Sequence, residues 1–186
     1  MNETLAILIG QLDHTDRNIR ARAAVDLGTL GDTSVTAVLV QALVRERELF
    51  VREYITWALV RIGDTAVASL VLLLSDPDSR VRHCAVHALS KIGDPRAIGA
   101  LIAALYDDWQ VREQAASALG ILREEDAVQA LVRVLKDDSW KVRFAAVQAI
   151  GTLGQNEAKQ AVESMLSDTN PLVRGIASRM MSRLSH

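Results

Sequence analysis

Asp78 to Gly93, reading DSRVRHCAVHALSKIG, is one copy of a unit that runs through the whole chain. It joins a cap residue, a Val-Arg pair, small residues at Ala85 and Ala88 with Leu89 and Ile92 behind them, and a closing glycine. The pair recurs as Ile19-Arg20, Val51-Arg52, Val81-Arg82, Val111-Arg112, Val142-Arg143 and Val173-Arg174, at steps of 32, 30, 30, 31 and 31 residues. Self-similarity at a fixed period of this size is the signature of stacked repeats, and six units fill the 186 residues.

Each unit holds two helical patterns. The first is rich in Leu, Val and Ile and covers residues 3–12, 34–44, 65–74, 96–105, 126–136 and 157–166. Apolar residues recur there at three- and four-residue spacing with no period-two alternation, which predicts helix. The second helix starts at the Val-Arg pair. Three residues ahead of the pair stand Asp16, Glu48, Asp78, Asp108, Ser139 and Asn170; all but Glu48 are preferred N-caps, whose short side chains accept an orphan N–H of the first turn. Glu48 sits in the charged turn Arg45-Glu46-Arg47-Glu48, which carries the extra residue of the 32-residue step. Gly31, Gly63, Gly93 and Gly154 are placed for a left-handed helix stop. Arg123 and Ser185 replace glycine there, so those two helix ends are expected to be less sharp.

Small residues mark the second helix at Ala23, Ala85, Ala115 and Ala146, again at Ala58, Ala88, Ala118 and Ala149, and at Gly28, Ser90, Gly120 and Gly151. Their missing side chains let neighbouring helices approach, which predicts second helices on the tighter, concave side of a curved stack.

The pattern Asp108-Trp109-Gln110-Val111-Arg112-Glu113-Gln114-Ala115-Ala116-Ser117-Ala118-Leu119-Gly120 resembles the HEAT-like repeat first recognised in phycobilin lyases, and the resemblance covers the whole chain. It implies an all-α fold, an α-solenoid of six antiparallel HEAT-like helix pairs wound as a right-handed superhelix, with the Val-Arg helix on the ligand-facing side. The expected organisation is a single domain over 1–186, with repeats at 1–31, 32–63, 64–93, 94–123, 124–154 and 155–186. Fold alone assigns no function, because such repeats serve unrelated roles.

Hydrophobic residues make up 49% of the chain and aromatics only 4%, so the interior must be built from Ala, Val, Leu and Ile. A net charge of −2 argues against indiscriminate binding to nucleic acid or membrane. The single cysteine, Cys84, rules out an internal disulfide framework. No apolar run is read as long enough to span a membrane and the N-terminus lacks a basic flank, so a cytoplasmic location is expected.

The six pair arginines are read as a structural ladder, each bonding a carboxylate of an adjacent repeat. The variable face of the second helices carries the functional signal. Eight Lys or Arg, among them Arg61, Arg80, Lys91, Lys141, Arg179 and Arg183, stand there against the two acids Glu53 and Glu113. Six of the seven aromatics share this strip: Phe50, Tyr54, Trp57, Trp109, Trp140 and Phe144. Aromatics and arginines are enriched in binding hot spots. Trp109, Trp140 and Phe144 also admit a packing role, as braces between turns. His83, Cys84 and His87 share one helical face, with Glu53 and Glu113 at the place equivalent to His83 in the flanking repeats. Stacked helices lie about 10 Å apart while zinc ligands converge to about 2 Å from the metal, so no metal is expected. The HEAT-repeat di-iron hydroxylases use paired His-Glu dipeptides, and this chain has no His-Glu step. His14 and His186 offer no identifiable partner.

The expected function is a non-catalytic protein-interaction scaffold without cofactor, binding an acidic or mixed-charge segment through a concave groove. Its contacts are Phe50, Tyr54, Trp57, Arg61, Arg80, His83, His87, Lys91, Trp109, Trp140, Arg179 and Arg183. Nucleic-acid binding through the same face is the first alternative; an enzyme of phycobilin-lyase type or a metal-dependent enzyme rests on family analogy. Pairing between copies is expected at the last repeat, where the terminal helix keeps Ile176, Met180, Met181 and Leu184.

Overall fold

The computed structural model describes residues 3–154 and 159–184, and among them all regular structure is helical. Contacts divide the chain into two compact units, Met1–Asp94 and Pro95–His186. In the first unit, α1 (Glu3–Gln11), α3 (Thr36–Arg45) and α5 (Val67–Leu73) alternate with α2 (Arg17–Leu30), α4 (Leu49–Ile62) and α6 (Ser79–Ile92). The second unit alternates α7 (Ile98–Ala103), α9 (Val128–Val134) and α11 (Lys159–Ser164) with α8 (Trp109–Leu122), α10 (Trp140–Leu153) and α12 (Pro171–Leu184). Every second helix is 14 residues long. The first helices from α3 to α9 are shorter than the apolar pattern predicts because each is entered through a turn of 3-10 helix; such turns are common at α-helix ends.

The interiors are aliphatic. Leu27, Leu39, Leu43, Ile55, Leu59, Leu70 and Leu89 are the largest fully buried side chains of the first unit; Leu101, Leu105, Leu119, Leu131 and Ile150 fill the second. Second helices meet where a side chain is missing. A Cβ on Gly28 would lie 2.7 Å from Ala58 Cα and 2.8 Å from Trp57 Cζ3, and one on Gly120 would lie 2.7 Å from Ala149 Cα. Gly151 is covered by Met180 in the same way. Ile176 and Met180 are buried, while Met181 is partly exposed; the side chain of Leu184 and all of His186 lie outside the described residues.

The arginine ladder joins successive repeats within each unit. Arg20 forks onto Glu46 through Nε and Nη2 at 2.7 and 3.1 Å. Arg112 forks onto Asp137 at 2.6 and 2.9 Å, and Arg143 onto Asp168 at 2.7 and 2.9 Å. Each of these arginines also donates Nη1 to a carbonyl of its own turn, His14 and Thr15, Asp107, and Asp137 and Asp138 respectively. The carboxylates are held in turn by backbone: Asp137 accepts from Ser139 N, Asp168 from Asn170 N, and Glu46 from the N–H groups of Arg47 and Glu48. The guanidinium of Arg143 holds the Asp168 carboxyl below the ordinary carboxylate range.

Several end signals differ from the sequence reading. Asp16, Asp78 and Asn170 cap their helices through side-chain oxygens, whereas Asp108 and Ser139 make no capping bond through their side chains. Arg123 stops α8 as sharply as a glycine would. It adopts φ 56° and ψ 42° and donates its N–H to Leu119. Gly63 has φ 80° and ψ −138°, a region open almost only to glycine. It breaks Leu49–Leu73, a stretch of hydropathy 1.5 that is long and apolar enough by composition to cross a membrane, contrary to the sequence reading; here it folds as α4 and α5. His14 is partnered after all, its Nδ1 accepting the N–H of Asp16 at 2.9 Å.

Replacing Gly120 by Ala is expected to lower stability by about 1–3 kcal/mol, because the added methyl meets backbone and the helices must part. Gly99→Ala, at a helical position with nothing within 4 Å of the new atom, is expected to raise it by up to about 1 kcal/mol. Urea unfolding of the two variants checks the contrast.

Candidate functional site

The second helix of repeat two breaks the small-residue rule. Counted from the Val-Arg pair, Val60 occupies the place held by Gly28, Gly120 and Gly151 in other repeats. A side chain there forbids the approach seen at Gly28, and α4 and α6 pack less closely than α2 and α4. The gap is a cleft of about 470 Å³, lined by Leu49, Glu53, Thr56, Trp57 and Val60 from α4 and by His83, Cys84, His87 and Lys91 from α6. The ladder changes at the same junction. Arg52, buried to 2% exposure, donates Nε to the carbonyl of Glu46 at 2.6 Å and reaches Asp78 with Nη2 at 3.0 Å. Asp78 lies two residues beyond Asp76, the place that the other rungs use.

Trp57 is the main apolar wall. Its ring edge rests on Gly28, and the Arg61 guanidinium stands 5.9 Å from its centroid, within cation–π range. The opposite wall is polar. Burial pushes the His83 imidazole below its ordinary value, and His87 is lowered by burial and then by the charges of Lys91 and His83, with Glu53 opposing. Burial raises the Cys84 thiol, which bonds to Thr56; a thiol so held is a poor nucleophile. Thr56 donates its hydroxyl to the carbonyl of Arg52 at 2.7 Å. Among the described residues, no group of three or more His, Cys, Asp or Glu is placed to hold a metal ion. The cleft can therefore receive an apolar or aromatic group and offer it neutral imidazoles, with one cation and one acid beside them.

Of the residues singled out in the sequence, Glu53, Trp57, His83, Cys84, His87 and Lys91 line this cleft, with Arg61 stacked on Trp57. Phe50 and Tyr54 form an edge-to-face pair 5.0 Å apart on α4 and stay outside it. Arg80 turns to Asp78, donating Nε and Nη2 at 3.0 and 3.1 Å, and lines a different hollow. Trp109 and Trp140, 38% and 36% exposed, flank the ammonium of Lys141 at 4.7 and 6.0 Å from their centroids. Arg179 and Arg183 are exposed on α12. Leu49, Thr56 and Val60 were missed; the signal for them was the valine where the repeat asks for a glycine.

Repeated antiparallel helix pairs joined by an arginine ladder define an α-solenoid repeat protein. The model for HEAT repeats matches residues 5–72, 39–119 and 100–182, and the chain belongs to the HEAT-repeat family. No curated protein sequence matches it. Among solved structures it is similar to the complex of CpcE and CpcF of phycocyanin lyase from Nostoc sp. PCC7120, at 25% identity over 80% of this chain and 99% of the matched one, with a TM-score of 0.73. A computationally designed armadillo repeat protein for modular peptide recognition shares 22% identity over 96% and 99% of the two chains, at a TM-score of 0.61. Human deoxyhypusine hydroxylase shares 22% over 100% and 75%, at 0.57. At these identities the last two speak to fold alone.

The depressed histidines set a pH limb. The unfolded chain takes up their protons near pH 6.5, whereas the folded protein resists until lower pH. Their contribution is complete above that value and is lost as the pH falls from there through the folded pKa values. Urea unfolding from about pH 8 down to about pH 5 is expected to show this loss, and the double variant His83→Gln, His87→Gln to lack it; a flat wild-type profile contradicts it.

Proposed function

We propose that the chain is a non-catalytic interaction scaffold that holds a protein segment of acidic or mixed charge along its second helices. The observation carrying this reading is the α4–α6 cleft, whose volume of about 470 Å³ falls in the range of sites that enclose compact organic groups, ~300–1,000 Å³. A large apolar side chain of the partner sits against Trp57, Leu49 and Val60, while Arg61 and Lys91 receive carboxylates and Glu53 a cation. Burial holds the Cys84 thiol in its protonated, poorly nucleophilic form, which favours binding over catalysis through that sulfur. The similar phycocyanin lyase structure is itself a complex of two proteins, in keeping with a scaffold that works against a partner.

Affinity capture by the immobilised chain, with mass spectrometry of the eluate, tests this. Trp57→Ala and Lys91→Glu are each expected to weaken capture of the recovered protein by about tenfold or more, the scale of a hot spot. Unchanged capture by both variants overturns the cleft. Capture abolished by nuclease treatment and steeply weakened by salt assigns the face to nucleic acid instead.

A further inference from the structure

A separate hollow of about 630 Å³, sharing no residue with the cleft, is lined by Val44, Arg45, Arg47, Arg52, Asp78 and Arg80. Four guanidiniums face one carboxylate there. The adjoining hollow shares Arg45 and Arg47 and adds Arg20, Asp13, Glu46 and Glu48, with Glu46 taken by Arg20 and Asp13 by Arg45. Asp78 is fully committed. Its Oδ2 accepts from Arg52 Nη2 and Arg80 Nη2, and its Oδ1 from Arg80 Nε and the Arg80 backbone N–H, all between 2.9 and 3.1 Å. That network fixes two guanidiniums as a wall and leaves the Nη1 edge of Arg80 open.

Arg45 reaches only Asp13, in an exposed pair at 3.1 Å. Arg47 takes part through its backbone N–H, which donates to Glu46 Oε1, and among the described residues its side chain forms no ion pair. It stands on the turn that carries the extra residue of the 32-residue step, so the insertion itself presents this guanidinium. Guanidinium forks match tetrahedral oxyanions and bind them bidentately. With Arg45 paired to Asp13 and Asp78 shared by Arg52 and Arg80, two positive charges are left over, and a dianion answers them better than a single carboxylate.

We propose that this hollow binds a dianionic phosphoryl group, held by Arg47 and Arg80, with Arg45 at the rim and Arg52 anchoring the wall. The site stands independently of the cleft and of any protein partner there. The phosphoryl group comes either from free phosphate or from a phosphorylated side chain.

Calorimetric titration of the full chain with inorganic phosphate, O-phosphoserine and acetate at equal ionic strength tests the proposal. Saturable binding of both phosphates is expected, with acetate at least about tenfold weaker; tighter binding of O-phosphoserine assigns the phosphorylated side chain, and tighter binding of phosphate the free anion. Arg47→Ala removes no side-chain hydrogen bond or ion pair among the described residues and is expected to weaken phosphate binding by about fivefold or more, as is Arg80→Ala. Absence of saturable phosphate binding, acetate binding as tight as phosphate, or an Arg47→Ala variant with unchanged affinity overturns it.

Discussion

The closest approach between second helices governs this structure. At Gly28 and Gly120 the facing Cα atoms of Ala58 and Ala149 lie only 2.7 Å from where a Cβ would sit, so no side chain fits between the two backbones. Contacts this close give many dispersion partners per residue and leave no slack, as in the close-packed interiors of proteins generally. One valine in that series is enough to hold two helices apart. The cleft beside Val60 is thus a consequence of the same rule that makes the other junctions tight, and Trp57 owes its position to Gly28 on one side and the opening on the other.

The arginine ladder performs a second task at the ends of the same helices. Each regular rung ties the turn of one repeat to the next and satisfies carbonyls that the turn would otherwise leave to water. These forks are sheltered: Glu46, Asp137 and Asp168 have side-chain exposures of 7%, 8% and 6%, so their loss leaves a charge short of both partner and water. Where α4 stands off from α6, the rung shifts to Asp78 and recruits Arg80 as well. One departure in helix spacing therefore accompanies both features that set this chain apart from a uniform array: an apolar cleft along the helices and a cationic hollow at their turn.

Much of this was legible from periodicity. The Val-Arg register placed all six second helices, because capping, small-residue packing and the ladder repeat together, and repetition multiplies weak local signals. The residues of the strip that meet in the cleft, Glu53, Trp57, His83, Cys84, His87 and Lys91, were legible for the same reason. What periodicity hides is the exception. Ser139 looks like a cap, yet its side chain makes no capping bond; Arg123 looks like a weak stop, yet it adopts the left-handed region at φ 56° while its N–H and that of Glu124 bond Leu119. Arg80 looks like a groove residue, yet its own cap carboxylate captures it two residues away. Each outcome is decided by side-chain and backbone bonding within a few residues, and single-residue preference carries no information about which of those bonds forms.

The central claim is that α4 and α6 are open at the level of Val60, whereas α2 and α4 are closed at the equivalent Gly28. The stability of a Val60→Phe variant by urea unfolding tests this most directly. A larger side chain there projects into the cleft, and the account expects a change of less than about 1 kcal/mol. A loss of about 3 kcal/mol or more, the mark of overpacking in a filled interior, would contradict it.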